Sequence, residues 1–260
     1  MKTSAYIIVK NAERHIKDCI KSLIFADEII VVDDFSSDKT AEFAESLGAR
    51  VIKHKFENFG AQRNFALSCL SYNWVICLDA DERISDKLRG EILEQIKDKP
   101  CADIFLAPRK TMFIDKWIMH SGWYPDYRHP ILFDKNKAVY KNQSVHEDID
   151  YRGGKKFYFK GDILHYSYSG IKNFIQKSDF YTDLSAAQMY EQGKRFHFYN
   201  LIINPLNMFL KMFILKKGFL DGIAGFILAM LYSFFYTALK YIKLWELQSK
   251  NKKVLKEKSE

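Results

Sequence analysis

Cysteine is scarce and scattered in this chain: Cys19, Cys69, Cys77 and Cys101 include no CxxC pair. A zinc site is therefore not expected and a dithiol redox motif is absent. Thiols set within apolar patterns read as reduced and buried. No glycine falls between Tyr6 and Glu13, so the first strand-to-helix turn lacks a glycine-rich phosphate loop. The basic residues form no aromatic-interleaved patch and match no nucleic-acid reader motif, which argues against a nucleic-acid partner. Met1-Lys2-Thr3-Ser4 runs straight into an apolar strand without a signal-peptide pattern, and a cytoplasmic location is expected for the catalytic half.

Apolar and basic residues are plentiful. The 260 residues suffice for one large domain, or one domain with an appendage. Hydrophobic residues make up 48% and aromatics 15%, with the 21 Phe and 15 Tyr concentrated in the second half. Forty basic against 32 acidic residues give a formal charge of +8, which suits an anionic substrate or an anionic membrane surface.

The front of the chain alternates strand and helix. Apolar runs at Ala5 to Val9, Glu28 to Val32, Val51 to His54 and Asn73 to Leu78 read as strands. Between them, Ile16, Cys19, Ile20 and Leu23 fall at helical spacing, as do Ala41, Ala44 and Leu47, and Gly60 to Leu70 reads as a third helix. Ser36 or Ser37 is placed to cap the second of these, and the residue type of Asp38 also suits a cap. Such alternation predicts parallel βαβ units with right-handed crossovers. Ser85 should cap a helix ending near Lys97, ahead of Pro100, and Asp103 to Ala107 should form a further strand. From Arg109 to Val145 the alternation breaks down, which predicts mixed strands completing the sheet.

One segment carries more chemistry than any other: Trp74-Val75-Ile76-Cys77-Leu78-Asp79-Ala80-Asp81-Glu82-Arg83. An apolar run suited to a central strand ends in two carboxylates one residue apart. Acids at a strand's carboxyl end lie where open α/β sheets bind ligands. They could hold a hard divalent cation and, through it, a diphosphate.

Beyond Ser169 the pattern is helical. Two strongly apolar stretches follow, Phe198 to Leu210, interrupted by Pro205, and Gly218 to Leu239, the latter uncharged over the eighteen residues Gly222 to Leu239. That length lies at the lower edge of a bilayer span, about 17–25 residues. Lys211, Lys216, Lys217, Lys240 and Lys243 flank them. Attachment to a membrane surface, as by an in-plane amphipathic hairpin, is expected, with a spanning helix or a homo-oligomer interface as the competing readings. The expected organisation is residues 1–170 as the catalytic domain, 171–245 as an apolar helical region and 246–260 as a basic tail, solvated and disordered from Lys250 to Glu260.

Taken in order, several motifs resemble the family-two inverting glycosyltransferases of GT-A fold, and more closely the lipopolysaccharide-core β-glucosyltransferase type. They are Ile7 to Asn11, Val31 to Thr40, Asn58 to Leu67, Leu78 to Arg83, Val145-His146-Glu147, Leu164-His165-Tyr166 and Gly218 to Gly222. The resemblance covers nearly all of the chain up to about Lys243. It implies a Rossmann-like, mostly parallel mixed α/β sheet flanked by helices, with a membrane-associated helical extension.

The resemblance also implies roles. Asp34 would accept a hydrogen bond from the uracil of a UDP-sugar, since the ring N–H needs an acceptor. Arg63 would lie beside the nucleotide, where a guanidinium suits a diphosphate. Asp79 would contact the donor ribose or sugar and Asp81 the metal, Mg²⁺ or Mn²⁺. Glu82 and Arg83 match the family's extension of this motif, with a local ion pair supporting the loop as the structural alternative. His165 would be a metal or diphosphate ligand, with a structural histidine as the alternative. Glu147 is the candidate base, with Asp148 the rival. Trp117, Trp123 and Tyr124 are candidate acceptor contacts, as is Arg128, although His129 and Pro130 intervene before the strand it should lead. Asp221, the single acid of an apolar segment, reads as a helix cap or a lysine partner.

The expected activity is transfer of a hexose, most simply glucose from UDP-glucose, onto a lipopolysaccharide-core or related glycolipid acceptor at the cytoplasmic face of a bacterial inner membrane. A sugar-1-phosphate nucleotidyltransferase is the enzymatic rival, but it would carry the glycine-rich loop that is missing here. A membrane-bound nucleotide-sugar-binding scaffold without turnover is the non-enzymatic one.

Overall fold

The computed structural model describes residues 1–141 and 149–257, with side chains as far as Lys250. In chain order the first elements are β1 (Thr3–Val9), α1 (Ile16–Leu23), β2 (Glu28–Asp33), α2 (Thr40–Ser46), β3 (Arg50–Lys53), α3 (Phe59–Ser68), β4 (Trp74–Asp79), β5 (Glu82–Ile84) and α4 (Asp86–Lys97). The strand-rich middle holds β6 (Ile104–Leu106), β7 (Arg109–Phe113), β8 (Lys116–Ile118), β9 (Pro130–Asp134), β10 (Val139–Tyr140), β11 (Ile149–Asp150), β12 (Lys156–Tyr158) and β13 (Ile163–Tyr168). Helices α5 (Ile171–Glu191), α6 (Ile203–Phe209), α7 (Gly222–Met230) and α8 (Thr237–Glu257) follow. Two compact units result: Met1–Thr111 with Pro125–Ser167, and Met112–Tyr124 with Tyr168–Glu260.

The first unit is built on a seven-stranded sheet in the order β12-β6-β9-β4-β1-β2-β3. Strands β4, β1, β2 and β3 are parallel, as the βαβ alternation requires. β9 runs antiparallel to both β4 and β6, which explains why the alternation stops after the acidic motif. Both faces of the central strands are covered. Ile76 and Leu78 of β4 point to one side with Ala5, Ile7, Ile20, Leu88 and Ile92. Val75 and Cys77 point to the other with Tyr6, Ala66, Phe133 and Tyr140. A strand buried on both faces needs a continuous apolar run rather than an alternating one.

In-register pairing places the carboxyl ends of three strands together. Val9 lies opposite Asp33, and Ile8 opposite Asp79. The acids at these ends therefore share one edge of the sheet, the edge at which open α/β sheets receive ligands.

The second unit is helical around Phe113, Ile118, Phe174, Met212, Leu228 and Ala229. Pro205 does not interrupt its helix: it occupies the first turn of α6, where a missing N–H costs nothing. Helix α8 continues to Glu257, so the expected disordered tail is helical over most of its length. Among the described residues the Asp221 side chain neither caps α7 nor pairs with a lysine. It is buried and accepts from the backbone N–H groups of Met119 (3.2 Å) and His120 (2.9 Å) and from His120 Nδ1 (3.0 Å). Its carboxylate thus ties the 112–124 segment to the start of α7.

Candidate active site

The site lies in the first unit and begins with the loop after β2. Asp33, fully buried, accepts from the backbone N–H of Ser36 at 3.1 Å and from the Ser36 hydroxyl. Asp38 accepts from the backbone N–H groups of Thr40 (3.0 Å) and Glu13 (3.1 Å), so this residue holds the start of α2 while Ser36 and Ser37 do not cap it. Ser36 and Ser37 instead bind Asn11, which occupies the left-handed region at φ 51°. Within this frame Asp34 accepts from Lys10 Nζ at 2.6 Å and from the Phe56 backbone N–H at 3.0 Å. Burial pushes the Asp34 carboxyl up, but the Lys10 contact and the Phe56 N–H outweigh it and leave it below the ordinary value.

Arg63 emerges from α3, whose N-terminus is capped by Asn58 accepting from the Ala61 N–H at 2.8 Å. The guanidinium is buried and turns inward rather than toward solvent. Its Nη2 meets Asp79 Oδ1 at 2.7 Å, and its Nη1 lies 2.9 Å from Cys77 Sγ. The Tyr140 ring lies 5.6 Å beneath it, and Asn64, the next residue, pins Tyr140 by two backbone hydrogen bonds. Asp79 is held a second time through its backbone, whose N–H donates to Glu82 Oε2 at 3.0 Å. Burial raises the Asp79 carboxyl, yet the Arg63 and Arg109 charges prevail and leave it lowered.

Glu82 does not pair with Arg83 as the sequence suggests. Its carboxylate forms a close ion pair with Arg109, and both side chains are buried. Arg83 donates to the backbone carbonyls of Ala80 and Glu82 and lies 3.6 Å from Asp18. The reason is geometric: β5 is buried on both sides, and successive side chains alternate between them.

Asp81 sits in the turn between β4 and β5, its carbonyl fixed by the Tyr166 N–H at 2.8 Å. β13 pairs antiparallel with β5 and sets His165 opposite Glu82. This register brings His165 Nε2 to 3.4 Å from Asp81 Oδ1, while His165 Nδ1 lies 3.3 Å from Thr111 Oγ1. One carboxylate oxygen and one imidazole nitrogen at that separation can share an ion, since ligands each ~2.1 Å from Mg²⁺ are at most ~4.2 Å apart. No group of three His, Cys, Asp or Glu side chains suited to a metal occurs among the described residues. The pair supplies two ligands, so a cation held there would take the rest of its shell from other groups.

Arg128 is exposed and is gripped by Asp126 through Nε at 2.9 Å and Nη2 at 2.7 Å. Trp117, Trp123 and Tyr124 belong to the second unit, where Trp123 packs against Tyr168 and Tyr232. Glu147 and Asp148 lie outside the described residues.

Sequence reasoning missed four contributors: Lys10, Cys77 as an Arg63 partner, Arg109 and His129. Lys10 had a signal, because it follows β1 directly and β1 is the neighbour of the strand that ends in Asp33-Asp34. Arg109 had none, being a lone arginine 27 positions from Glu82. His129 is held neutral: burial first, then the Arg109 and Arg63 charges, push it down to about 3.

A mostly parallel α/β sheet with an acidic turn at its carboxyl edge and one antiparallel strand inserted defines a GT-A fold. S. aureus TarS 1–349 in complex with UDP-GlcNAc shares it, with a TM-score of 0.50 at 14% identity over 97% of this chain and 92% of that one. The model of glycosyl transferase family 2 matches residues 4–161. An uncharacterized glycosyltransferase of Rickettsia typhi is 32% identical over 98% of this chain and 90% of its own length. The lipopolysaccharide core biosynthesis glycosyltransferase LpsC of Rhizobium meliloti is likewise 32% identical, over 92% of this chain and 91% of its own. The chain belongs to glycosyl transferase family 2.

Proposed function

We propose that this glycosyltransferase moves a hexose, glucose from UDP-glucose, onto a lipopolysaccharide-core or related glycolipid acceptor with inversion at the anomeric carbon. The observation that carries the proposal is the different fate of two carboxylates one residue apart. Asp79 is locked by Arg63, while Asp81 faces His165 across 3.4 Å. The likeness to LpsC supports the acceptor class, and the UDP-GlcNAc complex of TarS supports a UDP-sugar donor.

In this proposal Asp34 binds the uracil, and Lys10 and the Phe56 N–H keep it ionised as an acceptor. Asp79 binds the ribose or sugar, and Arg63 acts through Asp79 by fixing its carboxylate. Asp81 and His165 would hold Mg²⁺ or Mn²⁺, which when bound supplies electrostatic stabilisation of the departing nucleoside diphosphate. Glu147 or Asp148 takes the proton of the attacking acceptor hydroxyl. A glycolipid acceptor requires a chain held at the membrane, and the exposed apolar helices of the second unit support attachment to the cytoplasmic face of the inner membrane.

The test is transfer of labelled sugar by the full chain to lipopolysaccharide-core acceptors, with a panel of UDP-sugars, with Mn²⁺ or with chelator. The expected result is transfer from UDP-glucose that is lost in chelator and in Asp81→Asn, together with loss of the Mn²⁺-dependent donor thermal shift. Equal turnover in chelator and in Asp81→Asn would refute the metal assignment. A folded chain that binds UDP-sugar but transfers it to no acceptor would refute the enzyme.

A further inference from the structure

The second unit exposes an unusual amount of apolar surface. Ile202, Leu206, Leu210 and Ile214 form one stripe, and Ile223, Phe226, Met230 and Phe234 another, all exposed. The stretches that carry them, Phe198–Leu215 and Gly218–Lys250, are long and apolar enough to cross a membrane, and only 17% and 28% of their most apolar windows are buried. They form the two arms of a hairpin, joined by contacts of the Phe209 ring with the rings of Phe226 and Phe234. The chain reverses at Lys216-Lys217, where Lys217 adopts a left-handed backbone at φ 54°.

Both ends of this hairpin are tied to polar chain segments. At the tip, Ser121 N–H donates to the Lys216 carbonyl at 2.9 Å, and Asp221 accepts from Met119 and His120. At the open end, Lys243 pairs with Asp179 and Asp183 of α5, each at 2.7 Å. There too Gln248 accepts from the Phe196 N–H and donates to the Lys194 carbonyl. If either arm crossed a bilayer, tip and open end would lie on opposite faces. The chain from Ser121 to Asp179 would then have to cross as well. Among the described residues the only candidate spans are the two arms themselves. Charged side chains on α5, among them Lys177, Asp179 and Asp183, would be expensive at hydrocarbon depth.

We propose that the hairpin Phe198–Lys240 lies in the plane of an anionic lipid bilayer as a monotopic anchor, with tip and open end on the same side. This rests on the membrane location proposed above and adds the mode of attachment. Charge complementarity favours an anionic lipid surface over a second copy of the chain. Residues 192–250 carry eight basic and two acidic side chains, a balance that repels a like-charged copy and attracts acidic headgroups. Lys211, Lys216, Lys217 and Lys240 lie beside the apolar stripes, as in helices that bury one face at the headgroup boundary.

The experiment uses the full chain in a bacterial expression host, with Lys217→Cys at the tip and Lys250→Cys at the open end. Both are treated with a membrane-impermeant maleimide, and each site is read by peptide mapping against the native exposed Cys101. Both sites are expected to label in inverted inner-membrane vesicles and neither in spheroplasts. The purified chain is expected to float with phosphatidylglycerol-containing vesicles, less with phosphatidylcholine alone, and least when Ile214→Glu and Ile223→Glu are combined. Labelling of Lys250→Cys only in spheroplasts, in a chain that stays with the membrane, would overturn the in-plane arrangement and leave the membrane location standing. A chain that neither fractionates with membranes nor floats, and sediments as a dimer, would overturn both.

Discussion

Replacing Arg109 with methionine is the most demanding test of the site's architecture. The side chain of Glu82 is only 2% exposed and that of Arg109 12%, so the pair stands where solvent screens little. Glu82 also accepts the Asp79 backbone N–H, and Arg109 lies 3.7 Å from Asp126. Arg109→Met would keep most of the volume but leave a buried carboxylate without its cation beside Asp79. Breaking one side of a buried ion pair costs about 3–5 kcal/mol. Against a typical total stability of about 5–15 kcal/mol that is a large share. At roughly 2–4 °C per kcal/mol for a chain of this size, Tm should fall by about 6–20 °C. Denaturant unfolding should give the same loss, and UDP-sugar affinity should fall with it because Glu82, which accepts the Asp79 N–H, loses the cation that positions its carboxylate. The double variant Glu82→Gln/Arg109→Met should recover part of the loss, since no buried charge is then left unpaired. A single-variant cost below about 1 kcal/mol, the range of an exposed pair, would refute the reasoning.

Three further outcomes are expected. Arg63→Met removes a charge-assisted hydrogen bond worth about 1.5–3 kcal/mol, so kcat/KM should drop roughly 10- to 150-fold if Asp79 orients the donor. An unchanged value would detach Arg63 from function. Asp126 is pushed up by burial but pulled down to about 2 by Arg128 and Arg109, and Asp34 and Asp79 are also lowered. A carboxylate whose folded pKa is depressed stabilises above its unfolded value near ~3.9 and loses that contribution as pH falls through the folded one. Stability should therefore hold down to about pH 5 and decline between about pH 4 and 2, with a shallower decline in Asp126→Asn, as followed by denaturant midpoints across pH. Asp221→Ala leaves the partly buried N–H groups of Met119 and His120 without their acceptor and should cost about 1–3 kcal/mol, measured by thermal unfolding of the full chain.

Those variants also mark what the sequence makes legible. The parallel strands, the helix cap at Ser85 and the acidic end of β4 follow from local rules, because apolar runs, cap residues and turns are encoded within a few positions. Asp34 and His165 are singled out by the family resemblance, since an acid or a histidine beside an apolar run reads on its own as a cap or a structural residue. The Glu82–Arg109 pair could not be named, because register sets it and a strand read in isolation has no partner. Pairing Glu82 with Arg83 follows sequence adjacency, which a β-strand defeats by turning neighbours to opposite faces. Arg63 looks like an exposed donor on a helix, and only the tertiary position of Asp79 turns it inward.

That inward turn explains why two aspartates separated by a single alanine can do different work. Had β4 continued, Asp79 and Asp81 would point to the same face, since side chains repeat every second residue along a strand. The chain instead turns at Ala80-Asp81, and the Tyr166 N–H fixes the Asp81 carbonyl from the neighbouring β13. Asp79 thereby stays with the sheet, within reach of Arg63, and its charge is largely compensated before any ligand arrives. Asp81 is carried beyond the strand's end toward the His165 imidazole, whose charge depends on its protonation. A carboxylate already neutralised by arginine is a poor cation ligand but a well-oriented hydrogen-bond acceptor for a hydroxyl. In the proposed assignment the carboxylate that faces the imidazole is the one offered to a divalent ion. In the proposed function the turn between the two acids would therefore divide their roles, and a substitution that extended β4 through Ala80 would merge them.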